Sequence, residues 1–167
     1  MATLNLPSLP LRMLVGTDGS LTALLEASFE APVEVRTVAN TVDGRLPTPA
    51  ELELEPGGPV LWRRAVLEVD EEPVLRASSV LALCRFAPGV RGALLAGAEP
   101  MGSVLRGTEV RRELLAAAAT EATAADAAEL DVDEGAPMLE RVTRILSSGR
   151  PVAVVTERIP ATIFDAL

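Results

Sequence analysis

Glu157 is the residue whose type and setting could do chemistry. It lies in Pro137–Pro160, PMLERVTRILSSGRPVAVVTERIP, where two runs rich in Val, Ile and Leu flank Ser147-Ser148-Gly149-Arg150. That pattern predicts a β-hairpin, with glycine where the turn needs positive φ. Side chains alternate along a strand, so Ala153, Val155, Glu157 and Ile159 share one face. Three of those four are apolar. A carboxylate among them is either at a wet strand end or buried for a purpose, because an unpaired buried charge is costly.

The absent residue types narrow the chemistry. The chain has no His, Tyr or Lys, and all fifteen basic residues are Arg. Histidine-ligated metals, Ser-His-Asp and Cys-His nucleophiles, Schiff bases and P-loop phosphate binding are excluded. Cys84 ends the apolar run Val80–Cys84 and is expected to be a buried structural thiol. Asp and Glu remain for acid–base work and Arg for anion binding, with neither metal nor cofactor expected. Net charge is −9, from 24 acidic and 15 basic residues, so nucleic acid and anionic membrane are poor partners. Aromatics are 2%, too few for base-stacking platforms. A small anion can still bind where a few Arg side chains override the global field.

At 167 residues the chain is expected to form one domain, 1–167. Hydrophobic content of 49% and mean hydropathy of +0.30 argue against disorder. No apolar run approaches the roughly 20 residues of a membrane span. The N-terminal segment lacks a basic region followed by an apolar one, and there is one Cys, so a soluble cytoplasmic protein is expected.

Several elements must position these groups. Residues 1–11 carry two prolines and read as an extended lead. Leu21–Glu30 has helical spacing at Leu21, Leu24, Leu25 and Phe29, with Asp18 or Ser20 as N-cap. Residues 32–42 read as a strand closed by Asp43-Gly44, and Arg45–Ala50 as a connection. Gly92–Ala98 predicts a short helix, and Pro100 opens another. Residues 108–119, TEVRRELLAAAA, are helix on propensity and strand by position, and both readings stay open. Thr123–Leu130 predicts a short helix.

An internal repeat organises the chain. Ala50–Arg64 matches Ala128–Val142 without a gap at an offset of 78 residues, which Pro73-Val74 and Pro151-Val152 also keep. Two related halves, about 50–80 and 128–160, would each give a hairpin to one antiparallel sheet. Arg63 and Arg141 recur in both halves and read as scaffold. Arg64 corresponds to Val142 and Glu157 to Ser79, and such asymmetric positions can serve an asymmetric ligand.

Four landmarks stand in order: DGSLT opening the first helix, WRR in the first hairpin, PMGSVL at a helix start and TERIP ending the last strand. Together they resemble the chorismate lyase family, over roughly Leu14 to Pro160. The resemblance implies an α+β fold, a single antiparallel sheet with flanking helices and internal pseudo-twofold symmetry. It implies cofactor-independent cleavage of chorismate to 4-hydroxybenzoate and pyruvate. Carried over by motif, the ligand-binding arginine falls on Arg64 and the essential glutamate on Glu157. A backbone contact falls on Met101, beside Gly102, and the residue after the capping Ser is Leu21. The chain has Leu at 21 and Met at 101 where the family pattern has Met and Leu, and neither change removes a charge.

An arginine fork suits one carboxylate of a dianion, and free N–H groups near Met101 and Gly102 suit the other. A glutamic acid on an apolar face keeps a proton available near neutrality. Periodicity alone does not separate Arg63 from Arg64, because both strand faces there are apolar; the repeat and the motif favour Arg64. An inward Arg and Glu can also pair without catalysing anything. Two other functions compete. Leu130–Arg141 matches the phrase L-x-V-x-x-G-x-P-x-L-x-R of ligand-sensing domains in some bacterial transcription regulators, which resemble the same fold. Such sensors follow a winged-helix DNA-binding domain, which is not expected here. An enzyme of secondary metabolism, a cyclase or dehydratase on the same fold, is the other.

Overall fold

The computed structural model describes residues 13–14, 17, 19–43, 47–55 and 58–163. Asp18, Gly44, Arg45, Leu46, Gly57 and the lead over residues 1–11 lie outside the described residues. Six antiparallel strands form one sheet in the order β1-β2-β3-β6-β5-β4. They are β1 (Glu34–Asp43), β2 (Val60–Val69), β3 (Glu72–Leu81), β4 (Val110–Glu121), β5 (Pro137–Ser147) and β6 (Arg150–Pro160). Helices α1 (Leu21–Phe29), α2 (Pro88–Ala96), α3 (Met101–Val104) and α4 (Ala124–Leu130) complete an α+β fold, with 3₁₀ turns at Ala50–Leu52 and Leu83–Arg85. Among the described residues no helix is long and apolar enough to cross a membrane.

Two pairs of positions 78 residues apart have matching places in the backbone. Ser78 pairs directly with Thr156, its own counterpart 78 residues on, so the pseudo-twofold passes through the β3–β6 ladder. Glu53 and Asp131, another counterpart pair, both close a helical turn in the left-handed region, at φ 49° and 54°. The open segment at 108–119 is strand: β4 pairs along the whole of β5, and tertiary pairing overrides the helix propensity of its alanines.

Both faces of the sheet are covered, which is why both strand faces read as apolar. Leu21 and Leu25 of α1 pack with Leu67, Leu75, Leu139 and Ile159. On the same face Leu94 of α2 and Leu105 pack with Leu61, Leu81, Ile145 and Ala153. Leu52 on the opposite face covers Val60, Val80 and Val154, while Leu130 of α4 covers Val66 and Met138. Cys84 departs from expectation. The strand ends at Leu81 and the following 3₁₀ turn directs Cys84 outward, so the thiol is exposed.

Helix α4 is tied to the sheet by ions as well as by Leu130. Thr123 caps it in a reciprocal capping box with Asp126, and Asp126, wholly buried, receives Arg76 at 2.6 Å and Arg158 at 2.9 Å. Burial alone would raise this carboxyl, but the Thr123 N–H and hydroxyl and the Arg158 and Arg76 guanidiniums pull it down to about 2. The folded protein therefore keeps Asp126 ionised where the unfolded chain takes up a proton. That stability is fully present above pH 4 and is lost as pH falls through about 2. Asp126→Asn is expected to lose about 2 kcal/mol at pH 7 and to flatten the acid limb of stability. Urea midpoints of the two proteins between pH 2 and 7 check this; parallel curves would contradict it.

Candidate active site

A cavity of about 60 Å³ lies between the sheet and the segments carrying α1 and α3. Its floor includes Arg63, Ala65, Ala77 and Ser79 from the first half and Arg112, Arg141, Thr143, Val155 and Glu157 from the second. Ser20, Leu21 and Thr22 close it from α1, and Pro100, Met101 and Gly102 from α3. Ser20 is the N-cap of α1, its Oγ accepting from Ala23 N–H. The starts of the two helices press together so closely that a Cβ at Gly102 would lie 2.5 Å from Thr22 Oγ1 and 2.6 Å from Ser20 Oγ. Glycine there is a packing requirement.

Glu157 faces this cavity, 14% exposed, with Oε2 3.5 Å from Arg141 Nε. Burial pushes its carboxyl up, and the Arg141 and Arg112 guanidiniums oppose this only in part, leaving it at about 7. The result is a carboxyl that holds its proton near neutrality inside a positively charged cavity. Three guanidiniums stand against one carboxylate, in a protein whose net charge is −9.

Arg64 is not in the cavity. It lies on the opposite face, 41% exposed and 3.3 Å from Glu129. Arg63 takes the expected place, 4% exposed. The cause is a β-bulge. A regular hairpin closed by Asp70-Glu71 would pair Arg64 with Ala77, the partner of Glu157. Proline has no N–H to give the ladder, and the register slips between Leu67 and Glu68, opposite Pro73 and Val74. Arg63 then pairs with Ser79 and turns to the Glu157 face, because a one-residue slip exchanges the faces. Pro151-Val152 repeats the device between Ile145 and Leu146, which sets Arg141 opposite Glu157.

The repeated arginines do brace the scaffold, as expected. Arg63 Nη2 donates to Glu99 O at 2.6 Å and Gly97 O at 3.3 Å, just ahead of α3. Arg141 donates to Leu14 O at 3.1 Å and Thr17 O at 2.9 Å, ahead of α1. Their spare capacity differs. Nε and Nη1 of Arg63 are buried without a hydrogen-bond partner among the described residues; Arg141 Nε makes no hydrogen bond there either, but stands at ion-pair distance, 3.5 Å, from Glu157 Oε2. The Arg112 side chain makes no hydrogen bond among the described residues, and burial lowers its pKa against the pull of Glu157. Arg63 and Arg112 are thus the arginines with donors to offer a ligand; Arg141 holds the carboxyl. Arg112 went unrecognised in the sequence because the conformation of 108–119 was open.

Of the residues carried over by motif, Glu157, Leu21 and Met101 line the cavity, as does Gly102 beside Met101, and Arg64 does not. The site is small, well below the roughly 300 Å³ of ordinary small-molecule pockets, so a ring-sized ligand must displace side chains on entry.

A family model described as Chorismate pyruvate-lyase Rv2949c-like matches residues 15–166. None of the curated proteins matches the chain. Among solved structures, the effector domain of PhnF from Mycobacterium smegmatis is 20% identical, with a TM-score of 0.68 covering 85% of this chain and 88% of that one. The C-terminal domain of the histidine utilization repressor from Pseudomonas syringae is 18% identical, with a TM-score of 0.62 covering 77% and 91%. A GntR-family transcriptional regulator from Bacillus cereus is 13% identical, with a TM-score of 0.60 covering 77% and 91%. At these identities the likenesses establish the shared fold.

Proposed function

The chain belongs to the Rv2949c-like chorismate pyruvate-lyase family, and from that premise we propose that it cleaves chorismate to 4-hydroxybenzoate and pyruvate. The observation that carries this reading is Glu157, a protonated carboxyl near neutrality in a cavity lined by three arginines. Chorismate is a dianion. Arg63, through its unpartnered Nε or Nη1, and Arg112, through its guanidinium, take its carboxylates. Glu157 gives its proton to the ether oxygen as the ring carbon–oxygen bond breaks, releasing enolpyruvate. The ring loses the proton from the carbon that bears its hydroxyl and becomes aromatic. The Glu157 carboxylate recovers that proton, and the enol tautomerises to pyruvate. Atoms and electrons balance between substrate and products, so the step calls for no cofactor. Met101, Gly102 and Leu21 shape the cover over the ring.

A second reading has support from the fold: a ligand-binding domain without turnover, since the ligand-binding domain of a putative GntR-family transcriptional regulator from Bordetella bronchiseptica has a like architecture. Incubation of the purified protein with chorismate, following pyruvate and hydroxybenzoate by chromatography, separates the two. Stoichiometric release of both products is expected. Saturable binding of the aromatic acid with no release would favour the sensor, and neither result would point to a different substrate.

A further inference from the structure

The cavity floor is chemically polarised across the pseudo-twofold. Register makes Val35 the counterpart of Arg112, since they face Leu67 and Ile145, themselves a repeat pair. Ala65 is the counterpart of Thr143, and Ser79 of Glu157. The second half thus places a guanidinium, a hydroxyl and a carboxyl where the first has an isopropyl, a methyl and a hydroxymethyl group. Arg112 and Glu157 have parts in the proposed reaction. Thr143 has none so far.

Thr143 is 4% exposed, lines the cavity, and its Oγ1 is buried without a hydrogen-bond partner among the described residues. Leaving such a group unmet costs about 1–3 kcal/mol. The scaffold does not ask for it, because the same position in the first half is Ala65, also buried. A hydroxyl kept at an avoidable cost, facing a ligand cavity, is there for the ligand. Guanidinium groups only donate, so they serve carboxylates; a ligand hydroxyl must both donate and accept, and a threonine hydroxyl does both.

We infer that Thr143 is the specificity residue that anchors a neutral hydroxyl substituent of the ligand. The ring then lies with its apolar face toward Val35, Ala65 and Ala77 and its hydroxyl toward β5. This rests on the lyase reading only for the identity of the ligand, whose product would be a hydroxylated aromatic acid. The test compares 4-hydroxybenzoate with benzoate by calorimetry, using wild type and the near-isosteric Thr143→Val. Wild type is expected to favour the hydroxylated acid by roughly tenfold, the worth of one hydrogen bond. Thr143→Val is expected to lose that preference, bind benzoate unchanged and melt no lower than wild type, while Thr143→Ser restores the preference. Equal loss of both ligands in Thr143→Val, or a wild type that does not prefer the hydroxylated acid, would overturn the inference. The lyase reading fails separately: a wild type that releases no pyruvate but keeps this selectivity pattern would leave Thr143 as assigned and remove the reaction.

Discussion

Glutamine at Glu157 is expected to lower kcat/KM for chorismate by on the order of 10²–10⁴, the usual worth of a positioned acid, while binding of 4-hydroxybenzoate changes far less. The same substitution has a signature in stability. The Glu157 carboxyl sits at about 7 against an ordinary 4.5, so between those values the folded protein keeps a proton that the unfolded chain releases. Stability from this group is therefore greatest below pH 4.5, falls as pH rises, and has lost about 3 kcal/mol once pH exceeds 7. Glu157→Gln removes the slope and is more stable than wild type at pH 7.5. Urea unfolding at pH 5.0 and 7.5 reads this directly, and Asp126, which titrates lower, does not interfere. Full turnover in Glu157→Gln, or a wild type equally stable at both pH values, would reject the assignment.

Adjacent arginines supply the second large contrast. Arg63→Ala is expected to lose about 2–5 kcal/mol of transition-state binding, the range for removing one partner of a buried charge interaction. Arg64→Ala, whose side chain is 41% exposed and paired with Glu129, is expected to stay within about threefold of wild type. Arg63 also braces Gly97 and Glu99, so its loss loosens the approach to α3. Comparing 4-hydroxybenzoate with its uncharged amide separates the roles. A carboxylate clamp makes Arg63→Ala lose preference for the acid, whereas a brace alone weakens both ligands alike. Equal kcat/KM losses in Arg63→Ala and Arg64→Ala would remove Arg63 from the site.

Much of the architecture is legible in the sequence. Period-two runs and turn chemistry point to the hairpins, because each depends on local pattern. Glu157 stood out as one polar group on an apolar face. What was hidden depends on pairing over distance. The bulges opposite Pro73-Val74 and Pro151-Val152 exchange Arg64 for Arg63 and set Arg141 against Glu157. Alternation within one strand cannot report such a slip, although a repeated proline inside a strand was a signal that a bulge was due. Arg112 was lost with the conformation of its segment, since alanine-rich sequence becomes strand only through its partner β5.

The β3–β6 ladder has a consequence for how ligand binding spreads through the molecule. Only six residue pairs stitch the halves together there, against nine to eleven in each of the other ladders. It is the seam of the sheet, and the cavity floor crosses it. A molecule gripped by Arg63 on one side and by Arg112 and Glu157 on the other is a strut across that seam. Its binding energy opposes parting of the halves, so amide hydrogens of Arg76–Leu81 and Ala153–Arg158 exchange more slowly when the site is filled. Occupancy is thereby written into the middle of the sheet, away from the helices that cover the ligand.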